Sequence, residues 1–183
     1  MKKFLLNIVA FTFLLFGIAC GVDYMISSGL RQMEDYRFQT YDAMLKGGME
    51  HDLIIMGNSR GFSHFNPAII DSICKLSSSN ISRGGYPFNV QKFHLDLYKL
   101  NNKKPKYIVH NVDFITLQTM TMKNQHQSEA NLPYFYDAFY NQTMKEMGYN
   151  WLDRYIPLYR YFGYQMDIKN GLMEFLGVKH FNQ

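Results

Sequence analysis

Asp52-Leu53-Ile54-Ile55-Met56-Gly57-Asn58-Ser59-Arg60 passes from an apolar run through one glycine into a polar turn. A short unbroken apolar run closed by glycine is the pattern of a parallel strand covered on both faces and feeding a turn. Two further segments repeat the theme. Leu76 to Ser82 reads as a weaker second strand. Tyr107-Ile108-Val109-His110-Asn111-Val112, entered from Pro105-Lys106, reads as a third, buried strand. Helical patterns lie between them. Pro67 to Leu76 starts with a proline suited to a first helical position and places Ile69, Ile70 and Ile73 on one face. Pro87 to Leu100 spaces Val90, Phe93, Leu97 and Leu100 by three and four. Strand, helix, strand, helix, strand predicts an α/β domain with a parallel sheet and crossover helices.

Upstream, Met1-Lys2-Lys3 precedes FLLNIVAFTFLLFGIACGVDYM, and no charge occurs between Phe4 and Val22. A helical run of about 20 apolar residues can cross a bilayer core of about 30 Å. The two lysines before it and Asp23 after it favour a cytoplasmic N-terminus and an exported remainder. Residues 1–25 are read first as an uncleaved signal anchor and second as a cleaved signal peptide. A third reading is a lipoprotein signal with Gly17-Ile18-Ala19-Cys20 as a degenerate lipobox. A buried core helix fits the flanking lysines and the terminal position less well. Residues 26–50 read as a helical connector with a break at Ser27-Ser28-Gly29 and an end at Gly47-Gly48. The remaining 51–183 form the domain proper. From Met120 to Gln183 the chain is rich in Tyr, Phe, Met, Asn and Gln, which predicts helices and long loops.

Composition narrows the function classes. Hydrophobic residues at 47% and charged residues at 19% support a packed core and argue against disorder. A net charge of +4 with scattered Lys and Arg gives no basic face for nucleic acid. No Cys/His spacing suggests a metal, and no motif suggests a cofactor. Cys20 sits in the leader and Cys74 in a predicted helix, so they are not expected to pair.

Three segments carry candidate chemistry because each follows the carboxyl end of a parallel strand, where α/β proteins place their sites. Ser59 follows the first strand. It is either a nucleophile, with a backbone N–H able to stabilise a tetrahedral oxyanion, or simply a helix cap. Asn80-Ile81-Ser82-Arg83-Gly84-Gly85-Tyr86 follows the second, and its glycines either bring N–H groups close to a ligand or form a turn. Asn111-Val112-Asp113 follows the third, where an amide could donate to the same oxyanion.

Gly57-Asn58-Ser59-Arg60 resembles the first block of the SGNH/GDSL hydrolases, with Asn58 where many members carry aspartate. Asn80 to Gly85 is similar to the second block, with Ser82 where another glycine is usual. Asn111 resembles the third-block asparagine, although Val109 and Val112 replace the usual glycine and aspartate. The run from the leader to Leu132–Phe135 is similar to exported, membrane-anchored members of the Bacteroidetes type. The resemblance implies a transmembrane helix followed by a partial flavodoxin-like three-layer α/β/α fold and a helical, aromatic-rich C-terminal segment. It implies Ser59 as nucleophile, with Ser59 N–H, Gly85 N–H and the Asn111 side chain as oxyanion hole. The reaction would be ester hydrolysis or O-acyl transfer outside the cytoplasm, on an acyl ester or a cell-surface glycan.

The family's base is a histidine in an Asp-x-x-His block, and no such block occurs here. His51, His64, His94, His110, His126 and His180 are each expected to be surface or packing residues, with His64 the one to test. The resemblance therefore implies a chain that stops before its base. The competing expectation is a non-catalytic, membrane-anchored remnant that binds a glycan or a partner. Its aromatic residues would either stack on sugars or, like Tyr155, Tyr159 and Phe162 at helical spacing, pack within a helix.

Overall fold

The structure is a computed structural model and describes residues 1–117, 128–137, 139–140 and 148–178. The chain divides into two compact units. One comprises residues 1–38, 129–144 and 149–183; the other comprises 39–128 and 145–148.

In the second unit, β1 (Leu53–Met56), β2 (Ser78–Asn80) and β3 (Tyr107–His110) form a parallel sheet of order β2-β1-β3. Leu53 is level with Ser78 and Tyr107, and Ile55 with Asn80 and Val109. The apolar run at 53–56 becomes the central strand because every residue of it is buried. Met56 O accepts from Asn111 N–H, Ile55 O from Ile81 N–H, and Gly57 O from Arg83 N–H at 3.1 Å. These bonds bring all three strands to an end at one level.

Helices α2 (Tyr36–Lys46), α3 (Ser59–His64), α4 (Pro67–Cys74) and α5 (Phe88–Asn101) flank the strands in sequence. α5 buries Val90, Phe93 and Leu97 as its spacing predicts, but Leu100 is exposed. Pro87 stands just before α5 as its N-cap. The predicted Ile69/Ile73 face of α4 is also exposed, and α4 has no buried residue. α5 and the residue after it reach α2 through hydrogen bonds. Tyr41 Oη bonds His94 Nε2 at 2.5 Å, and Asn102 Nδ2 donates to Met44 O.

In the first unit, α1 (Lys2–Gln32) is one helix long and apolar enough to cross a membrane. It does not break at residues 27–29. Ser27 Oγ bonds back to Asp23 O, and Gly29 is used for close packing, so both residues stay helical. The interruption comes at Met33–Asp35. α1 changes character along its length. Residues 1–18 are exposed, whereas Asp23, Ile26, Ser27, Gly29 and Leu30 are buried.

What buries them is the aromatic tail. α6 (Trp151–Tyr155) opens with a capping box of Asn150 and Asp153. α7 (Gln165–Phe175) packs on α1 so closely that a Cβ on Gly29 would lie 1.8 Å from Gly171 O. Arg160 donates to Asp23, Ser27, Tyr136 and the Leu132 carbonyl. Tyr161 Oη bonds Ser27 Oγ, and burial pushes its phenol up to about 12. Tyr155, Tyr159 and Phe162 do not share a helix. α6 ends at Tyr155, Leu158 takes a left-handed conformation, and Tyr159 lies in a separate 3-10 turn.

Candidate functional site

Ser59 is the first residue of α3 and is exposed. It is not the helix cap. Asn58 caps α3 through its side-chain oxygen, which accepts from Arg60 N–H at 3.0 Å. The other end of the same amide donates to Asp113 Oδ2. Asp113 is in turn fixed by Thr116, whose N–H and hydroxyl both donate to Asp113 Oδ1. Asn58 thus joins the turn after β1 to the turn after β3 and leaves the Ser59 hydroxyl unused as a cap.

Two glycines let these segments close on each other. A Cβ on Gly57 would lie 2.8 Å from Asn111 Cβ. One on Gly61 would lie 2.8 Å from Ser82 Oγ and 3.4 Å from Asn111 Cβ. Gly57 is therefore required by close approach to β3, rather than by an unusual backbone angle. Gly85 does adopt a left-handed conformation, at φ 74°, and its surroundings are open. It lies two residues beyond Arg83, whose N–H is tied to Gly57. Asn80 anchors the same segment by donating to Gly61 O and Phe65 O while accepting from Ser82 N–H.

Gly57, Gly61, Ser82 and Asn111 accordingly meet at the carboxyl edge of the sheet, with Ser59 between the two glycines in the chain. Ser82 Oγ and Asn111 Oδ1 are buried there with no hydrogen-bond partner. Leaving such atoms unmet costs about 1–3 kcal/mol each, and both belong to the close-packed contact that Gly57 and Gly61 permit. Sequence reasoning counted Ser82 only as a departure from a glycine. Its burial depends on close packing against Gly61, far from it in the chain, which no local pattern signals.

The histidines go elsewhere. His51 Nδ1 bonds Ser77 Oγ at 2.8 Å, beside the amino ends of β1 and β2. His94 is buried within the α2–α5 contact, where desolvation, aided by the Arg83 charge, pushes it down to about 3. His110 Nε2 bonds Gln91 Oε1 at 2.7 Å, and burial lowers its pKa. His110 and Asn111 are consecutive in an extended segment, so they point to opposite faces. His64 is exposed at the last turn of α3. Five residues at about 100° each place it well round the helix from Ser59. His126 and His180 lie outside the described residues. Among the described residues no group of His, Cys, Asp and Glu could hold a metal.

No family model, no curated protein and no solved structure matches this chain.

Proposed function

We propose that the chain carries the nucleophile-bearing part of an SGNH/GDSL-type acyl-ester site, held outside the cytoplasm by α1 as an inner-membrane anchor. The observation that carries this reading is Ser59 itself. It stands exposed directly after the buried central strand, relieved of capping by Asn58, and on the same sheet edge as Asn111. The order β2-β1-β3 is also that of the first three strands of a flavodoxin-like sheet.

In this reading Ser59 Oγ attacks the carbonyl carbon of an acyl ester. Charge developing on the carbonyl oxygen is met by Ser59 N–H, Gly85 N–H and the Asn111 amide. The alcohol leaves, and water or a sugar hydroxyl then takes the acyl group from the serine. The serine proton requires a base in hydrogen-bond reach. None of the bonds made by His51, His94 and His110 leads to Ser59, which favours a second reading: a membrane-anchored domain that binds an acyl ester or glycan without turning it over.

Hydrolysis of p-nitrophenyl acetate by the full chain in detergent, beside Ser59→Ala and His64→Ala, separates the two. Turnover lost in both variants supports the enzyme, with His64 as base. Turnover lost only in Ser59→Ala supports the enzyme with another base. Rates equal to the Ser59→Ala background support the binding domain.

A further inference from the structure

We propose that the side chains surrounding the point where α1 leaves its apolar run form a collar seated in the interfacial layer of the lipid bilayer. The proposal rests on the reading of α1 as a membrane anchor and extends it from one helix to the folded tail.

The switch from bare to covered helix is abrupt. α1 is exposed through Phe16-Gly17-Ile18, and Asp23 is already buried at 1% exposure. The tail returns to this level at two places. Leu158 N–H donates to Asp23 Oδ2 at 2.8 Å. The Phe175 ring meets Tyr24 edge-on at 6.3 Å.

The direction of α7 fixes which of its ends lies there. Asp167, near its start, is 3.8 Å from Arg37. Gly171 lies against Ile26 and Gly29, and Phe175 against Tyr24. α7 therefore runs antiparallel to α1, and its last turn points back toward the apolar run.

Tyr24, Phe175 and Leu176 are exposed at the Tyr24–Phe175 contact, and Tyr155, Ile156 and Tyr159, close in the chain to Leu158, are exposed near the Leu158–Asp23 contact. These six large apolar groups lie within a few residues of two contacts made on the consecutive residues Asp23 and Tyr24, and water does not favour exposed apolar surface of this kind. Their chemistry suits one occupant. Tyr pairs an apolar ring with a polar tip and concentrates at the headgroup level of membranes. Nearby acids are already engaged within the protein: Asp23 with Arg160, Asp153 with the Asn150 backbone, and Glu174, beside Phe175, in an interaction of its own. Arg154, lying 5.0 Å over the Tyr155 ring, adds a cation suited to lipid phosphate. The patch is continuous with the bare surface of α1, so lipid contacting one reaches the other.

The test uses the full chain reconstituted in phosphatidylcholine vesicles. Trp151 is the only tryptophan, so Trp151→Phe gives a silent background. Single reporters are then placed by Tyr155→Trp, Leu176→Trp, Met166→Trp and Phe11→Trp. Met166 is a control on the same helix, about 15 Å from Leu176 along the axis. Quenching is read with lipids carrying a nitroxide just below the headgroup or near the chain end.

The headgroup-level nitroxide is expected to quench the reporters at 155 and 176 about twofold or more and to leave the one at 166 nearly unchanged. The chain-end nitroxide is expected to quench the reporter at 11. Quenching at 11 with none at 155 and 176 overturns the collar and leaves the anchor standing. Equal quenching at 155, 166 and 176 overturns the depth order. A reporter at 11 that no lipid quenches removes the anchor, and the collar falls with it.

Discussion

Asn58 donates to Asp113, joining the turn after the first strand to the turn after the third. This bond gives a physical reason for an amide at position 58. A second carboxylate at position 58 would face Asp113 directly.

Asn58→Asp is therefore expected to destabilise the protein at neutral pH. Two carboxylates in contact cannot both ionise freely, so the shared proton binds with a folded pKa above the unfolded value of about 3.9. The penalty is present above that raised pKa and disappears as the pH falls through it. Asn58→Ala loses the α3 cap at all pH values, at a cost of about 1–2 kcal/mol. Thermal unfolding at pH 4 and pH 7.5, each read against the unsubstituted chain at the same pH, checks both: the deficit of the Asp variant should shrink on acidification and that of the Ala variant should not.

Ser59→Ala is expected to leave stability within about 0.5 kcal/mol, because the residue is exposed and does not cap α3. A shift in melting temperature as large as that of Asn58→Ala would show that Ser59 has a structural duty after all.

His94 makes stability depend on pH. Its folded pKa is about 3, against 6.5 for the free side chain. The unfolded chain therefore binds more protons between those values. The stabilisation is complete above pH 6.5 and declines by about 1.4 kcal/mol per pH unit as the pH falls toward 3. His94→Gln should flatten this slope in denaturant titrations. An unchanged slope would mean that another group carries the acid sensitivity.

The Asp23–Arg160 pair is buried to within about 1% on both sides. Arg160→Ala leaves an uncompensated carboxylate and should cost about 3–5 kcal/mol. Replacing both, with Asp23→Leu and Arg160→Met, should cost less than the single change, since apolar pairs of similar size often match buried ion pairs. Unfolding of the detergent-solubilised chain provides the comparison; a double variant weaker than Arg160→Ala would count against this account.

Two glycines in one helix should respond with opposite signs. A Cβ at Gly29 would collide with the Gly171 carbonyl, while one at Gly21 meets open space. Gly29→Ala should cost about 1–3 kcal/mol or more through overpacking and expose the tail to limited proteolysis. Gly21→Ala should be neutral or mildly stabilising, by up to about 1 kcal/mol. Equal protease resistance in the two would argue against the α1–α7 contact.

The sequence by itself determined where the strands run, most of the helices and the apolar length of α1, but not that β3, expected to be buried, is exposed at Tyr107 and Ile108. Those features follow from local rules. Leu53 to Met56 is continuously apolar, Val90, Phe93 and Leu97 recur at helical spacing, and no charge interrupts Phe4 to Val22. It also placed Ser59, Gly85 and Asn111 just past strand ends, because parallel strands entered from the same side finish on the same edge. Only the tertiary structure decided what those residues do there. Asn58 rather than Ser59 caps α3 because Asp113, distant in sequence, holds its amide in place. Ser82 becomes a buried hydroxyl because Gly61 gives it room. Likewise α1 stays unbroken through Ser27-Ser28-Gly29 because Gly171 packs on it and Arg160 and Tyr161 bond its serine. Each of these outcomes depends on a partner far along the chain, and local propensity carries no information about such partners.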